Sequence, residues 1–247
     1  MKANNKRIRA RMAAGLLLLA VLGAGYTYLN AGYTADETAL AAMAPGEGIT
    51  VTLPTEDLVI FGAEEPSAGL IFYPGGKVEH LAYAPLLRAL AREGITCVLT
   101  EMPFDLAVLD MDAAEKARAQ LPEIERWYIG GHSLGGAMAA ACAAEHLADY
   151  EGVILLAAYS TKDLNHSDLK VISLYGNKDT VLDMDKYREY RTNLPTDTVE
   201  AVLEGGNHAQ FGSYGPQEGD GTATVLPEEQ IAWAAEIISC EINGIER

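Results

Sequence analysis

Cysteine is scarce, three residues in 247, which is too few for a disulfide framework. Each sits in an apolar pattern: Cys97 in the run 95–99, Cys142 in an alanine-rich stretch, Cys240 beside Ile237 and Ile238. The sequence therefore predicts three buried thiols. Basic residues are also few, 18 against 35 acidic. Five of the 18, Lys2, Lys6, Arg7, Arg9 and Arg11, precede the first acidic residue, Asp36, leaving 13 against 35 and a balance of −22 beyond that point. Nucleic-acid binding depends on Lys and Arg neutralising phosphates, so a surface this anionic excludes nucleic acid as a partner. Low-complexity tracts and internal repeats are absent. With 49% hydrophobic and 21% charged residues the chain has the apolar matter for a core, which excludes a disordered, collagen-like or polytopic membrane protein.

After the basic flank 1–11, residues 12–35 carry no charged side chain and centre on the leucine-rich stretch 16–22. That length suits a membrane-spanning helix, which needs about 20 residues. The basic flank predicts a cytoplasmic amino terminus, with Tyr26, Tyr28 and Tyr33 at an outer aromatic belt and the rest of the chain outside. The competing reading is a cleaved signal peptide, because the strongly apolar part is short and Gly23-Ala24-Gly25 offers small residues for cleavage. Both readings export the remainder, the first as a single-pass membrane protein and the second as a secreted one. Residues 36–48, with Pro45 and Gly46, read as a spacer carrying one short helical stretch through Leu40 and Met43, and residues 49–247 as one domain.

In that domain short apolar runs alternate with longer amphipathic segments. The runs 49–53, 58–61, 69–73, 95–99, 127–129, 153–156, 171–175 and 199–203 read as strands, the first two as a hairpin around residues 54–57. Helical patterns fall at 79–92, 112–120, 134–147, 183–191 and 228–239. Continuously apolar strands separated by helices signal a parallel sheet covered on both faces. The expected fold class is α/β: a mostly parallel, doubly wound sheet of about eight strands with an antiparallel start. The connection between 156 and 171 is too short for a lid domain.

Gly131-His132-Ser133-Leu134-Gly135 has the form G-x-S-x-G. The string alone is only suggestive, and its setting supplies the specificity: a buried strand before it and strong helix formers after it. A serine on so sharp a strand-to-helix turn is strained, and glycines two before and two after avoid collisions. Ser133 then projects its hydroxyl at the carboxyl edge of the sheet, where a serine N-cap would be the bland alternative. A serine hydroxyl becomes nucleophilic only when a base takes its proton, and an imidazole base needs an acid to fix its tautomer. In this architecture the chain order is Ser, acid, His. Asp179 follows the run 171–175, with Asp183 and Asp163 as rivals, and His208 follows the run 199–203. His80, His132, His146 and His166 lie in helical patterns, in the turn itself or in a polar loop. Two backbone donors must hold an oxyanion: Leu134, next to the serine, and a loop residue after the first parallel strand, Gly76 with Lys77 close behind.

Tyr73-Pro-Gly-Gly-Lys77, Gly131-His-Ser-Leu-Gly-Gly136, Gly176-Asn-Lys-Asp179 and the stretch from Gly206 through His208 to Asp220 together resemble the α/β-hydrolase superfamily. More narrowly they are similar to a compact, dienelactone-hydrolase-like branch of bacterial membrane-anchored or exported hydrolases, over about 49–238. Dienelactone hydrolases proper carry a cysteine nucleophile where this chain has Ser133, so their substrate is not carried over. The resemblance implies a carboxylesterase-like serine hydrolase acting on a small-molecule acyl substrate through an acyl-enzyme. Thioester, lactone or amide cleavage on the same triad, and a catalytically idle binding module, are the alternatives. No metal and no organic cofactor is implied, the membrane is met through the amino-terminal helix, and the oligomeric state carries no signal. Lys77, Glu79 and Tyr214 suggest a partly polar mouth, with solvated surface as the bland reading of each.

Overall fold

The computed structural model describes residues 32–245 except 47, together with positions 12, 15, 19, 20, 23 and 25. The chain divides into Met1–Gly32 and Tyr33–Arg247, and the sheet and its covering helices all belong to the second unit. The basic flank 1–11 and most of the apolar stretch 12–35 lie outside the described residues. Among the described residues no helix is long and apolar enough to cross a membrane. The end of that stretch belongs to the second unit. Tyr33, expected in an interfacial belt, instead donates its N–H to the Lys77 carbonyl at 2.7 Å and packs its ring 5.4 Å from that of Tyr214.

The stretch 36–48, read as a spacer, is folded against this unit. Helix α1 (Glu37–Ala41) starts where the Asp36 carboxylate accepts from the Ala39 N–H at 2.9 Å, the usual way of satisfying an orphan donor of the first turn. The Arg88 guanidinium then gathers the carbonyls of Ala42, Ala44 and Gly46.

Eight strands form one sheet: β1 (Ile49–Thr55), β2 (Leu58–Ala63), β3 (Ala68–Tyr73), β4 (Ile95–Thr100), β5 (Trp127–His132), β6 (Gly152–Leu156), β7 (Lys170–Gly176) and β8 (Val199–Leu203). Their order is β1-β2-β4-β3-β5-β6-β7-β8. β2 is antiparallel to both β1 and β4, and every other pairing is parallel. The expected mostly parallel sheet with an antiparallel start is the observed one.

Alternation along each strand splits the core into two layers. Leu70 and Phe72 face the layer covered by α2 (Ala84–Arg92) and α6 (Pro227–Asn243), while Ile71 and Tyr73 face the layer covered by α3 (Ala113–Ala119) and α4 (Leu134–Glu145). Side chains of this kind, fully removed from water, contribute about 1.5–3 kcal/mol each, and both faces of β3 are lined with them. Cys97 and Cys142 are buried as expected, whereas Cys240 is only half-buried. Ile238 and Ile242 turn inward on α6, and a residue midway between them on a 3.6-residue helix faces outward. The helix expected over 79–92 is a 3₁₀ turn, His80–Tyr83, followed by α2, because Pro85 supplies no N–H and suits only a first helical turn. Between β4 and α3 lie two short 3₁₀ turns, Pro103–Asp105 and Ala107–Leu109, with Phe104 and Asp105 at positive φ. The remaining helix, α5 (Met184–Tyr190), follows β7. The parallel strands end at one edge, and the turns after β3, β5, β7 and β8 meet there.

Candidate functional site

Ser133 is the single residue between β5 and α4, with φ 52° and ψ −121°. A side-chain-bearing residue in that region costs on the order of 1–3 kcal/mol. Its surroundings enforce it. A Cβ at Gly131 would lie 2.5 Å from the Tyr73 carbonyl oxygen, and one at Gly135 2.2 Å from the Pro74 carbonyl oxygen, so only hydrogen fits at either place. The Ser133 N–H donates to Leu156 at 2.9 Å and its carbonyl accepts from Ala137 at 3.1 Å, pinning both sides of the turn.

The loops after β7 and β8 meet backbone to backbone. The Lys178 N–H donates to the Gly206 carbonyl at 2.8 Å, and a Cβ at Gly176 would be 2.2 Å from that same oxygen. This contact brings Asp179 and His208 together: Asp179 Oδ2 lies 2.8 Å from His208 Nδ1, both side chains 1% exposed. The other oxygen, Oδ1, accepts from the Val181 and Leu182 amides, each at 2.8 Å. Against a carboxylate, Nδ1 must be the protonated nitrogen, which leaves Nε2 with its lone pair free. Nε2 is buried and makes no hydrogen bond among the described residues. It faces no partner, yet His208 and Ser133 line the same cleft of about 380 Å³. Bonds of this type commonly tighten only when substrate arrives. The rivals are occupied locally: Asp183 caps α5 through the Asp185 and Lys186 amides, and Asp163 accepts from Asn165 two residues on.

In the turn after β3 most backbone amides are already engaged. Pro74 has no N–H, the Gly75 N–H donates to the Tyr83 hydroxyl at 3.0 Å, and the Lys77 N–H donates to the Asp105 carbonyl at 2.8 Å. Gly76 is left, and a Cβ there would be 3.0 Å from the Leu134 side chain, so the Gly76 and Leu134 positions adjoin. Neither N–H has an acceptor among the described residues. Leu134 also opens α4, whose amino terminus carries a partial positive charge.

Three further residues, given no role by the sequence, support this arrangement. Tyr83, buried, accepts from Gly75 and lies 2.8 Å from His132 Nδ1. The Tyr83 hydroxyl thus joins the Gly75 amide to the His132 ring, whose Nε2 is buried and makes no hydrogen bond among the described residues. The His132 ring lies 4.5 Å from that of His208, and burial first, then the neighbouring His208, hold its pKa well below the ordinary value. Gln230, fully buried on α6, grips the residue before His208 at both backbone atoms: its Oε1 accepts from the Asn207 N–H at 3.0 Å and its Nε2 donates to the Asn207 carbonyl at 2.8 Å. Asp220 accepts from the Ala209 amide at 2.9 Å and from Thr180 at 3.4 Å, joining the two loops again. A lone glutamine among the apolar residues of a helix was the one visible hint.

The mouth differs from expectation. The Glu79 carboxylate accepts from the Ala35 N–H and Tyr214 is buried, and neither lines the cleft at Ser133. Leu134, Met138, Tyr159, Val181 and Leu182 line the cleft instead, with Asp183 among them. Among the described residues no group of three or more His, Cys, Asp or Glu side chains is arranged to hold a metal ion.

Residues 69–232 match the model of the "Alpha/beta hydrolase family". Among solved structures, a predicted CIB-like hydrolase from Thermoplasma acidophilum is similar with a TM-score of 0.56 at 16% identity, over 78% of this chain and 99% of that one. TT1662 from Thermus thermophilus gives 0.58 at 14%, over 80% and 98%. Est1E from Butyrivibrio proteoclasticus gives 0.57 at 12%, over 80% and 100%. At these identities the likeness is one of fold. No curated protein sequence matches the chain.

Proposed function

Since the chain belongs to the alpha/beta hydrolase family, we propose that it cleaves an ester-type acyl bond through Ser133, His208 and Asp179. The observation that carries this reading is the buried 2.8 Å pair of Asp179 and His208, whose unbonded Nε2 belongs to the same cleft as the strained Ser133. In this mechanism Nε2 takes the Ser133 proton as Oγ attacks the acyl carbonyl. Asp179 stabilises the imidazolium without itself being protonated. The Gly76 and Leu134 N–H groups hold the oxyanion, a contribution of about 2.7–4 kcal/mol per donor in acyl transfer. Collapse expels the alcohol, which receives the proton from Nε2, and a water activated by the same nitrogen then releases the acid. The buried, neutral His132 adds no positive charge beside the forming imidazolium.

A fluorophosphonate probe should label the wild type and leave Ser133→Ala unlabelled. An ester panel of graded acyl length, extended to thioesters, lactones and small amides, should show turnover highest on uncharged esters. Labelling that persists in Ser133→Ala would overturn the assignment. A wild type that binds small acyl compounds without turning any over would instead support a binding module. The lactones also probe the dienelactone-hydrolase-like resemblance, from which Ser133 departs. For location we carry forward the single-pass anchor, cytoplasmic amino terminus and exported catalytic unit, on the strength of the basic flank and the uncharged stretch 12–35. Mature protein beginning near Tyr26 would show the secreted alternative.

A further inference from the structure

The Gly76 and His208 loops follow β3 and β8, and β5, β6 and β7 lie between those strands in the sheet. Sheet pairing therefore cannot set one loop against the other, yet the chemistry needs the oxyanion donor and the base on the same serine within a few tenths of an ångström. A segment from outside the sheet spans the gap. The Tyr33 N–H donates to the Lys77 carbonyl at 2.7 Å and its carbonyl accepts from the Glu79 N–H at 2.9 Å, a parallel bridge to Val78 two residues past Gly76. On the other side its hydroxyl accepts from the Glu218 N–H at 3.0 Å. Its ring packs on Tyr214, and the Asp36 N–H donates to the Ser213 carbonyl at 2.9 Å. The 213–220 loop returns to His208 through the Asp220 bond to Ala209.

We propose that residues 33–36 clamp the Gly76 and His208 loops to each other, with Tyr33 as the positioning residue, so that the chain just after residues 1–32 sets active-site geometry. The inference rests on the acyl-transfer reading above. A second tie, the Ser213 N–H to the Ala82 carbonyl at 2.7 Å, bridges the same gap, so losing Tyr33 loosens the loops without unfolding them.

The test is hydrogen exchange and steady-state ester kinetics on the full chain. In Tyr33→Ala the Asp36, Glu79 and Glu218 amides should exchange roughly tenfold faster or more while β3 to β7 stay protected. In the same variant kcat should fall roughly tenfold with KM changed less than about threefold, the signature of an interaction made in the transition state. Tyr33→Phe keeps the ring and gives up one bond, so Glu218 alone should exchange faster and kcat should stay within about threefold of wild type. If Tyr33→Ala lacks a cooperative melt, Tyr33→Leu takes its place with the same expectations. Unchanged exchange at Asp36 and Glu79 would overturn the clamp, and faster exchange with wild-type kcat would overturn its positioning role. If the wild type neither hydrolyses esters nor takes the probe, the acyl-transfer reading fails, and exchange alone still decides the clamp.

Discussion

Asp179 divides its carboxylate between two tasks: one oxygen meets His208 Nδ1 at 2.8 Å, the other accepts the Val181 and Leu182 amides. The amides fix the carboxylate, and the carboxylate fixes the imidazole tautomer. Asp179→Asn keeps an acceptor for the amides but turns an NH₂ toward Nδ1, which forces the proton onto Nε2, where the base is needed. Ester turnover should fall roughly 10⁴-fold with little change in melting. Asp179→Ala should also lose about 1–3 kcal/mol of stability, because buried donors are left unpaired. Equal kcat/KM in Asp179→Asn and wild type would remove Asp179 from the mechanism.

Ser133 at positive φ predicts that a dead variant is the sturdier one. Ser133→Gly relieves strain of roughly 1–3 kcal/mol against about 0.5–1 kcal/mol of added chain entropy. Urea unfolding should show a net gain of about 1 kcal/mol, with hydrolysis abolished. A loss of stability would contradict the strain.

Gln230 holds Asn207 at both backbone atoms and does not line the Ser133 cleft. Gln230→Ala should cost about 2–3 kcal/mol in chemical denaturation, since a buried N–H and a buried carbonyl lose their partners. It should also lower kcat at temperatures where the protein stays folded. Stability within about 0.5 kcal/mol of wild type, a margin typical of surface substitutions, would show the grip to be dispensable.

The buried, neutral His132 gives stability a pH dependence of known sign. Its folded pKa lies below that of a free histidine, about 6.5, so the unfolded chain takes up the proton first as pH falls. The stability linked to this residue is fully present above about pH 6.5 and is lost below it, by up to about 1.4 kcal/mol per pH unit. The partly exposed His80, lowered chiefly by burial, acts in the same direction. The melting temperature should drop between pH 7 and 5, and His132→Asn should flatten that drop. An unaltered slope in the variant would exclude His132 as its source.

The inner strands were legible because they are the continuous apolar runs that a sheet covered on both faces requires, and the edge strands β1 and β8 because apolar residues are interleaved with polar ones along them. Ser133, Asp179 and His208 could be proposed from the sequence because each follows the carboxyl end of one of these runs, and the structure brings Asp179 and His208 within 2.8 Å. What escaped the sequence depends on partners remote in the chain. Tyr83 reads as one more core aromatic until Gly75 and His132 are seen on its hydroxyl. Residues 33–35 read as the end of an apolar stretch and Asp36 as the start of a spacer, because the bonds that tie Tyr33 to 77–79 and Asp36 to 213 are backbone bonds, which no side-chain pattern records. Gly76 could be preferred to Lys77 only once the Lys77 N–H was seen on Asp105. Cys240 was misread because apolar neighbours along the chain do not say which way a helical position turns.

At Gly131, Gly135 and Gly176 main chain presses on main chain with room for hydrogen alone. The reacting centre can therefore be neither widened nor tightened by exchanging side chains at those points, and any change there shifts a whole strand end. On the proposed acyl-transfer reading, selectivity is tuned one layer out, at Met138, Tyr159, Val181 and Leu182, which line the Ser133 cleft.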